Sequence, residues 1–208
     1  MTFTVVSPEQ MIEAYPNAEP GSLAGKFVPQ PPPPAAGELK QTMREIEGPF
    51  FRIGAPRRNV ILEEGDKVEL IVSGRVSNEK GVPIPHSVIN VWMSDHDGNY
   101  DMIGYRHHGI VEADEFGHYE FWTIIPGAYE PREAKHIHVM VQGNSFPITT
   151  QLYIEGELRT EKDPFYSDDV LIRCTIDEKG VKHGTFDFVL KQVTPQDNVT
   201  PDSLAAVV

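Results

Sequence analysis

His136-Ile137-His138-Val139-Met140-Val141 is the stretch that decides the fold. Ile137, Val139 and Val141 recur at every second position and are β-branched, so the run reads as a β-strand. Side chains at i and i+2 of a strand share one face. The two imidazoles can therefore reach one point in space, as two ligands of a single metal ion would. Taken alone the pair carries little weight, because polar histidines on a strand are common without a metal. A cupin-type arrangement would want a glutamate shortly after the pair. Position 142 is Gln, and the next glutamate is Glu155.

The same signal recurs on both sides. Residues 118–124 (His-Tyr-Glu-Phe-Trp-Thr-Ile) and 148–154 are strand-like, as are 68–76, 87–93, 170–176 and 185–190. Turns rich in Gly, Pro and Asp separate them: Gly81-Val82-Pro83-Ile84-Pro85, Asp95-His96-Asp97-Gly98-Asn99, Asp114-Glu115-Phe116-Gly117 and Pro126-Gly127. Seven to eight or more short strands with little helix predict an all-β chain, a β-sandwich.

The ends lack this pattern. Residues 1–46 form an N-terminal arm, with a short helix expected over 9–15 between Pro8 and Pro16. A proline-rich segment follows, Pro29-Gln30-Pro31-Pro32-Pro33-Pro34. Consecutive prolines favour polyproline II and exclude helix or central strand. The sandwich domain is expected over 47–193, and 194–208 is a peripheral tail.

Composition narrows the class. The chain has 208 residues, 39% hydrophobic and 24% charged, which suits one globular domain with extended ends. No apolar run approaches the ~18 residues that would span a membrane. Met1-Thr2-Phe3-Thr4 lacks the basic start of a secretory signal. The single cysteine, Cys174, lies in an apolar-alternating run and reads as a small buried residue, not a nucleophile. A cytoplasmic location is the default expectation. The formal net charge of -13 disfavours nucleic acid and anionic membrane as partners.

Further features fall in a particular order: Gly48-Pro49-Phe50-Phe51, Val72-Ser73-Gly74-Arg75-Val76, Gly81-Val82-Pro83-Ile84-Pro85, Val91-Trp92, Gly98-Asn99-Tyr100, Gly117-His118-Tyr119-Glu120-Phe121-Trp122, Pro126-Gly127, His136-Ile137-His138 and Thr149-Thr150-Gln151-Leu152-Tyr153. In that order, over about residues 47 to 191, the chain resembles the intradiol ring-cleavage dioxygenases. Its layout is similar to protocatechuate 3,4-dioxygenase-like chains, without the long helical N-terminal dimerisation region of the catechol and hydroxyquinol branch.

The resemblance implies a non-haem Fe(III) held by two tyrosines and two histidines, here Tyr100, Tyr119, His136 and His138. Tyr119 would also act in catalysis, as the ligand that a bound diol displaces. Hard phenolate oxygens suit ferric iron. The implied substrates are O2 and a small aromatic diol of the catechol or polyhydroxylated type, cleaved between its hydroxyl-bearing carbons to a muconate-type diacid. A homo-oligomer is expected, since all four ligands fall on one chain. His96, His107, His108 and His118 lie nearby, and only the motif order selects against them. A binding module that keeps the fold, or a metal enzyme of another reaction class, are the alternatives.

One departure stands out. The family's arginine three residues before the first ligand histidine is replaced by Glu133, and Arg132 lies one residue earlier. Arg132, Lys135 and Arg106 are the candidates for its role, with Gln151 the counterpart of a family glutamine beside the iron.

Overall fold

The structure, a computed structural model, describes residues 38–143, 147–158 and 160–191. Ten strands form among them: β1 (Val60–Ile61), β2 (Leu70–Asn78), β3 (Val88–Trp92), β4 (His108–Glu112), β5 (His118–Thr123), β6 (His136–Gln142), β7 (Ile148–Ile154), β8 (Leu171–Ile176), β9 (Lys182–Thr185) and β10 (Phe188–Leu190). The only helical turns among the described residues are two 3-10 turns, Thr160–Lys162 and Asp168–Val170. The proline-rich segment and the C-terminal tail lie outside the described residues.

The strands run in the order β1-β5-β2-β9-β8-β7-β6-β3-β4, with β10 added to β2. β8 carries the order from one layer to the other. Its first residues, Leu171 and Ile172, pair with β7, and the stretch from Arg173 to Ile176 pairs with β9. At the far end a bridge between Arg57 and Ile110 brings the chain before β1 against β4, which makes the order nearly closed. Ile137, Val139 and Val141 of β6 and Leu152 and Ile154 of β7 face the packed interior, against Leu70, Val72, Phe121 and Phe188. Burial of these side chains, roughly 1.5–3 kcal/mol each, holds the layers together.

Every residue of β6 is buried, so this strand is covered on both faces. The even-numbered residues point away from the interior, and cross-strand register lines them up. His138 lies opposite Gln151 on β7 and Trp92 on β3, and Trp92 lies opposite His108 on β4. His136 lies opposite Tyr153. The chain before β1 lies over part of this outer face: Phe50 and Phe51 pack with Trp92, Met140 and Tyr100 in a second, smaller cluster. The residues leading into it bond across the domain, Thr42 N–H to the Val189 carbonyl (3.0 Å) and Glu45 N–H to the Thr149 carbonyl (2.8 Å).

Candidate metal centre

His136 and His138 come together as the strand period requires, with ring centroids 4.9 Å apart and both side chains almost fully buried. His136 Nδ1 lies 2.8 Å from the Ala134 carbonyl. An N–H there donates to the oxygen and leaves Nε2 as a lone pair, the tautomer a metal ligand needs. His138 stacks on Trp92 (5.1 Å, 12°) and is capped by Gly48, whose φ is +76° and whose missing Cβ would stand 3.2 Å from His138 Cε1.

Tyr100 joins them, its ring 6.1 Å from that of His138 and stacked under Phe50 at 4.1 Å. The fourth member is Tyr129. Its ring lies 5.5 Å from Tyr100 and 5.7 Å from His136. Three of these side chains hold buried atoms with no hydrogen-bond partner: the Tyr100 hydroxyl, His136 Nε2, and both ring nitrogens of His138. Buried polar atoms are rarely left so, and four polar side chains converging on one place make a donor set suited to a cation.

Tyr119 is not part of this group. Strand alternation turns it to the interior, where its hydroxyl donates to the Phe186 carbonyl (2.7 Å) and its ring packs on Phe188. The structure does not bring Tyr119 to the histidines as expected: the second tyrosine beside them is Tyr129, on the loop between β5 and β6. The signal for it was present in Pro126-Gly127-Ala128-Tyr129, just ahead of the histidine strand. The order of motifs matched to the family drew the assignment to Tyr119 instead.

The two tyrosine-bearing loops are locked to each other. Gly127 N–H donates to the Asp95 carbonyl (2.8 Å), and the Ser94 hydroxyl donates to the Gly127 carbonyl (2.9 Å). The approach is so close that a Cβ on Gly127 would stand 2.3 Å from the His96 carbonyl oxygen. Gly127→Ala is therefore expected to cost about 1–3 kcal/mol in stability and to push Tyr129 away from His136. Thermal melts together with metal stoichiometry check it; a variant that keeps both unchanged contradicts the locked arrangement.

The three cationic candidates are placed differently. Arg132 reaches the site, its Nη2 donating to Gln151 Oε1 (2.7 Å) and to the Tyr153 hydroxyl (3.1 Å). Gln151 Nε2 in turn donates to the Ile46 carbonyl (3.2 Å). Lys135 points the other way and pairs with Glu157 (3.0 Å). Arg106 is largely exposed and lies 3.8 Å from Asp101. Neither Lys135 nor Arg106 is brought to the histidines. The competing histidines have other partners: His96 with Glu69, His107 with Asp66, His108 with Asn90, and His118 with Arg75.

Burial sets the electrostatics. It pushes the Tyr100 hydroxyl well up, with the nearby Tyr129 hydroxyl adding to the effect. It also raises Tyr129, against the lowering field of Arg132. Burial lowers His136 to about 4 and pushes His138 well down, with Arg132 adding to both. His108 falls to about 4 for the same first reason, helped by Arg58 and Arg52. Neutral imidazoles with open lone pairs are what a metal needs, and a bound cation would reverse the upward push on the tyrosines.

A pH prediction follows for the metal-free protein. Unfolded histidine takes up a proton near its ordinary 6.5, whereas folded His108 and His136 do so only near 4. Between those values the unfolded chain binds more protons, so stability rises with pH across the window. The contribution is complete above 6.5 and is lost as pH falls through about 4. Each such histidine gives a slope of about 1.4 kcal/mol per pH unit. Denaturant melts across that range check it, and a flat profile counts against neutral buried histidines.

The sequence model of a family described as "Dioxygenase" matches residues 46–192. The chain belongs to the intradiol ring-cleavage dioxygenases. Within this family it is 32% identical over 166 residues to a chlorocatechol 1,2-dioxygenase of Rhodococcus opacus, covering 64% of this chain and 62% of that one. It is 28% identical over 158 residues to a protocatechuate 3,4-dioxygenase beta chain of Burkholderia cepacia, covering 62% of this chain and 67% of that one. Among solved structures it is similar to the dioxygenase domain of a dioxygenase–carbohydrate-binding fusion from Streptomyces sp. SirexAA-E. That match has a TM-score of 0.69 and 33% identity, over 74% of this chain and 100% of that one. The described residues contain no helix long and apolar enough to cross a membrane.

Proposed function

We propose that the chain is a non-haem Fe(III)-dependent intradiol dioxygenase, with Tyr100, Tyr129, His136 and His138 as the iron ligands. The observation that carries this is the set of buried, unpartnered atoms on Tyr100, His136 and His138, with Tyr129 against two of the three. Two phenolic oxygens and two imidazole nitrogens suit a hard trivalent ion better than the thiolate or all-histidine sets of softer metals. When bound, ferric iron supplies the redox chemistry that joins O2 to an aromatic diol and opens the ring between its hydroxyl-bearing carbons, leading to a muconate-type diacid.

The protein's own groups divide the remaining work. Tyr100 and Tyr129 are both half-buried on loops and both pack against Phe50, Tyr100 face to face and Tyr129 edge-on. Tyr129, held edge-on where Tyr100 is stacked, would be the looser of the two oxygen donors, and its phenolate could accept a proton from an incoming diol. Arg132 places a cation beside the ligands, where negative charge on a bound diol gathers, and Gln151 ties that cation to the Ile46 carbonyl. Phe50, Phe51 and Trp92 exclude water from the buried side. Relatives named for chlorocatechol and hydroxyquinol support a catechol-type or polyhydroxylated ring as the substrate class.

Oxygen uptake by the iron-loaded protein tests the proposal, with catechol, chlorocatechols, hydroxyquinol and 3,4-dihydroxybenzoate as the panel. Stoichiometric O2 consumption with formation of a diacid is expected, along with a broad visible tyrosinate-to-iron band before substrate is added. An iron-replete protein without colour would overturn the ligand set. A coloured protein inert to the whole panel would favour a binding module or another reaction class.

A further inference from the structure

Arg132 sits in the loop between β5 and β6, so strand alternation does not aim it. A free arginine side chain carries about 2 kcal/mol of rotamer entropy, and something must fix its direction if its charge is to act at one place. The structure shows what does. Arg132 Nε donates to Asp163 Oδ2 (2.5 Å) while Nη2 donates to Gln151 and Tyr153, and the guanidinium carbon lies 4.7 Å from the ring centre of Phe165. Two nitrogens and a face of the group are thereby held.

Asp163 is itself enclosed. Only 1% of its side chain is exposed, and its second oxygen, Oδ1, accepts from the Tyr153 hydroxyl (2.8 Å) and the Phe165 amide (3.0 Å). Its backbone N–H closes the 3-10 turn on the Thr160 carbonyl (3.1 Å), so the connection after β7 delivers the carboxylate to this place. A carboxylate so buried needs its cation, and removing either partner strands the other. The charge of Arg132 is felt at Tyr100, Tyr129, His136 and His138 alike.

We infer that Asp163, together with Tyr153, is a positioning residue that aims the Arg132 guanidinium at the group formed by Tyr100, Tyr129, His136 and His138. The inference rests on the dioxygenase assignment for its catalytic consequence, though not for its geometry. An asparagine in place of Asp163 keeps the shape but fails the chemistry. If its amide faces Arg132 Nε, two donors meet. If its oxygen does, the amide meets the Phe165 N–H and can no longer accept from it.

The test uses Asp163→Asn and Tyr153→Phe, each read in two ways. In metal-free, nitrogen-15-labelled protein, the Arg132 Nε–H resonance is identified by its absence from Arg132→Lys. It is expected to be protected from exchange in the wild type and to lose protection in Asp163→Asn. In iron-loaded protein, both variants are expected to keep full iron and the visible band. For Asp163→Asn, kcat on catechol should fall about 100-fold, the cost of a catalytic group displaced by roughly 1 Å, while KM moves far less.

A protected Arg132 resonance in Asp163→Asn, or a wild-type kcat in that variant, overturns the inference. Should Asp163→Asn fail to fold, Tyr153→Phe decides by the same two measurements, and no change in either overturns it. A wild-type protein that cleaves no diol sinks the dioxygenase assignment, while the Arg132 resonance still decides the role of Asp163.

Discussion

Tyr129→Phe is expected to strip the protein of both iron and activity, while Tyr119→Phe leaves both in place. The contrast is sharp because the two tyrosines are ten positions apart in sequence, one in the packed interior and one beside the histidines. Tyr129 lies against Tyr100 and His136. Its loss removes one of two hard oxygen donors, so iron affinity should fall by at least about 100-fold, the upper end of what losing a mere outer partner of a ligand costs. Tyr119 donates to the Phe186 carbonyl within the packed interior. Its loss leaves that carbonyl unpaired, at about 1–3 kcal/mol, with the iron site untouched. Iron content after passage over a chelating resin, the visible band and oxygen uptake read the two variants side by side. The reverse pattern, with Tyr119→Phe bleached and Tyr129→Phe coloured, would return the ligand to the strand.

The sequence pointed to Tyr119, whereas the structure brings Tyr129 to the histidines, for a physical reason. Strand alternation is a strong local signal, and it placed β7 over 148–154 and β6 within a residue of its bounds. The two histidines inherit that regularity, since i and i+2 on a strand must share a face. Gln151 and Tyr153 share a face by the same rule, and register puts them opposite His138 and His136. Tyr129 and Arg132 lie in a loop, where direction is set by long-range contacts: Asp95 and Ser94 for the first, Asp163 for the second. No local period encodes those partners.

The same limit explains two misread elements. Residues 185–190 look like one strand but belong to two. β9 pairs with β2 over Leu70–Ser73, and β10 pairs with β2 over Val76–Asn78. Between them the chain crosses Gly74 so closely that a Cβ there would stand 1.8 Å from the Phe186 oxygen. β4 was missed because its core, Gly109-Ile110-Val111, is brief and flanked by histidines and a glutamate. His108 is buried among Phe51, Trp92 and Tyr105, with Asn90 on β3 meeting its Nε2 at 2.7 Å.

Trp92→Ala is the substitution expected to damage stability and metal binding together. Trp92 is 1% exposed, stacks on His138 at 5.1 Å, and touches Phe51 at 4.9 Å and His108 at 5.9 Å. Truncating a buried tryptophan costs about 3–5 kcal/mol, against a total stability of roughly 5–15 kcal/mol for a domain. At about 2–4 °C per kcal/mol for a chain of this size, the melting temperature should fall by roughly 6–20 °C. The second effect follows from position. His138 has no hydrogen bond on either ring nitrogen, so the indole face and Gly48 are what keep its ring from turning. Without the indole, His138 can rotate and its lone pair leaves the place shared with His136 and Tyr100. Trp92→Phe separates the two effects, because a phenyl ring restores an aromatic face with less bulk. It should recover much of the iron affinity while remaining less stable than the wild type. Melts of the metal-free proteins, set beside iron titrations, provide the measurement. If Trp92→Ala melts low yet binds iron as tightly as the wild type, the stacking on His138 is packing alone, and the orientation of that imidazole is set by Gly48 and the metal itself.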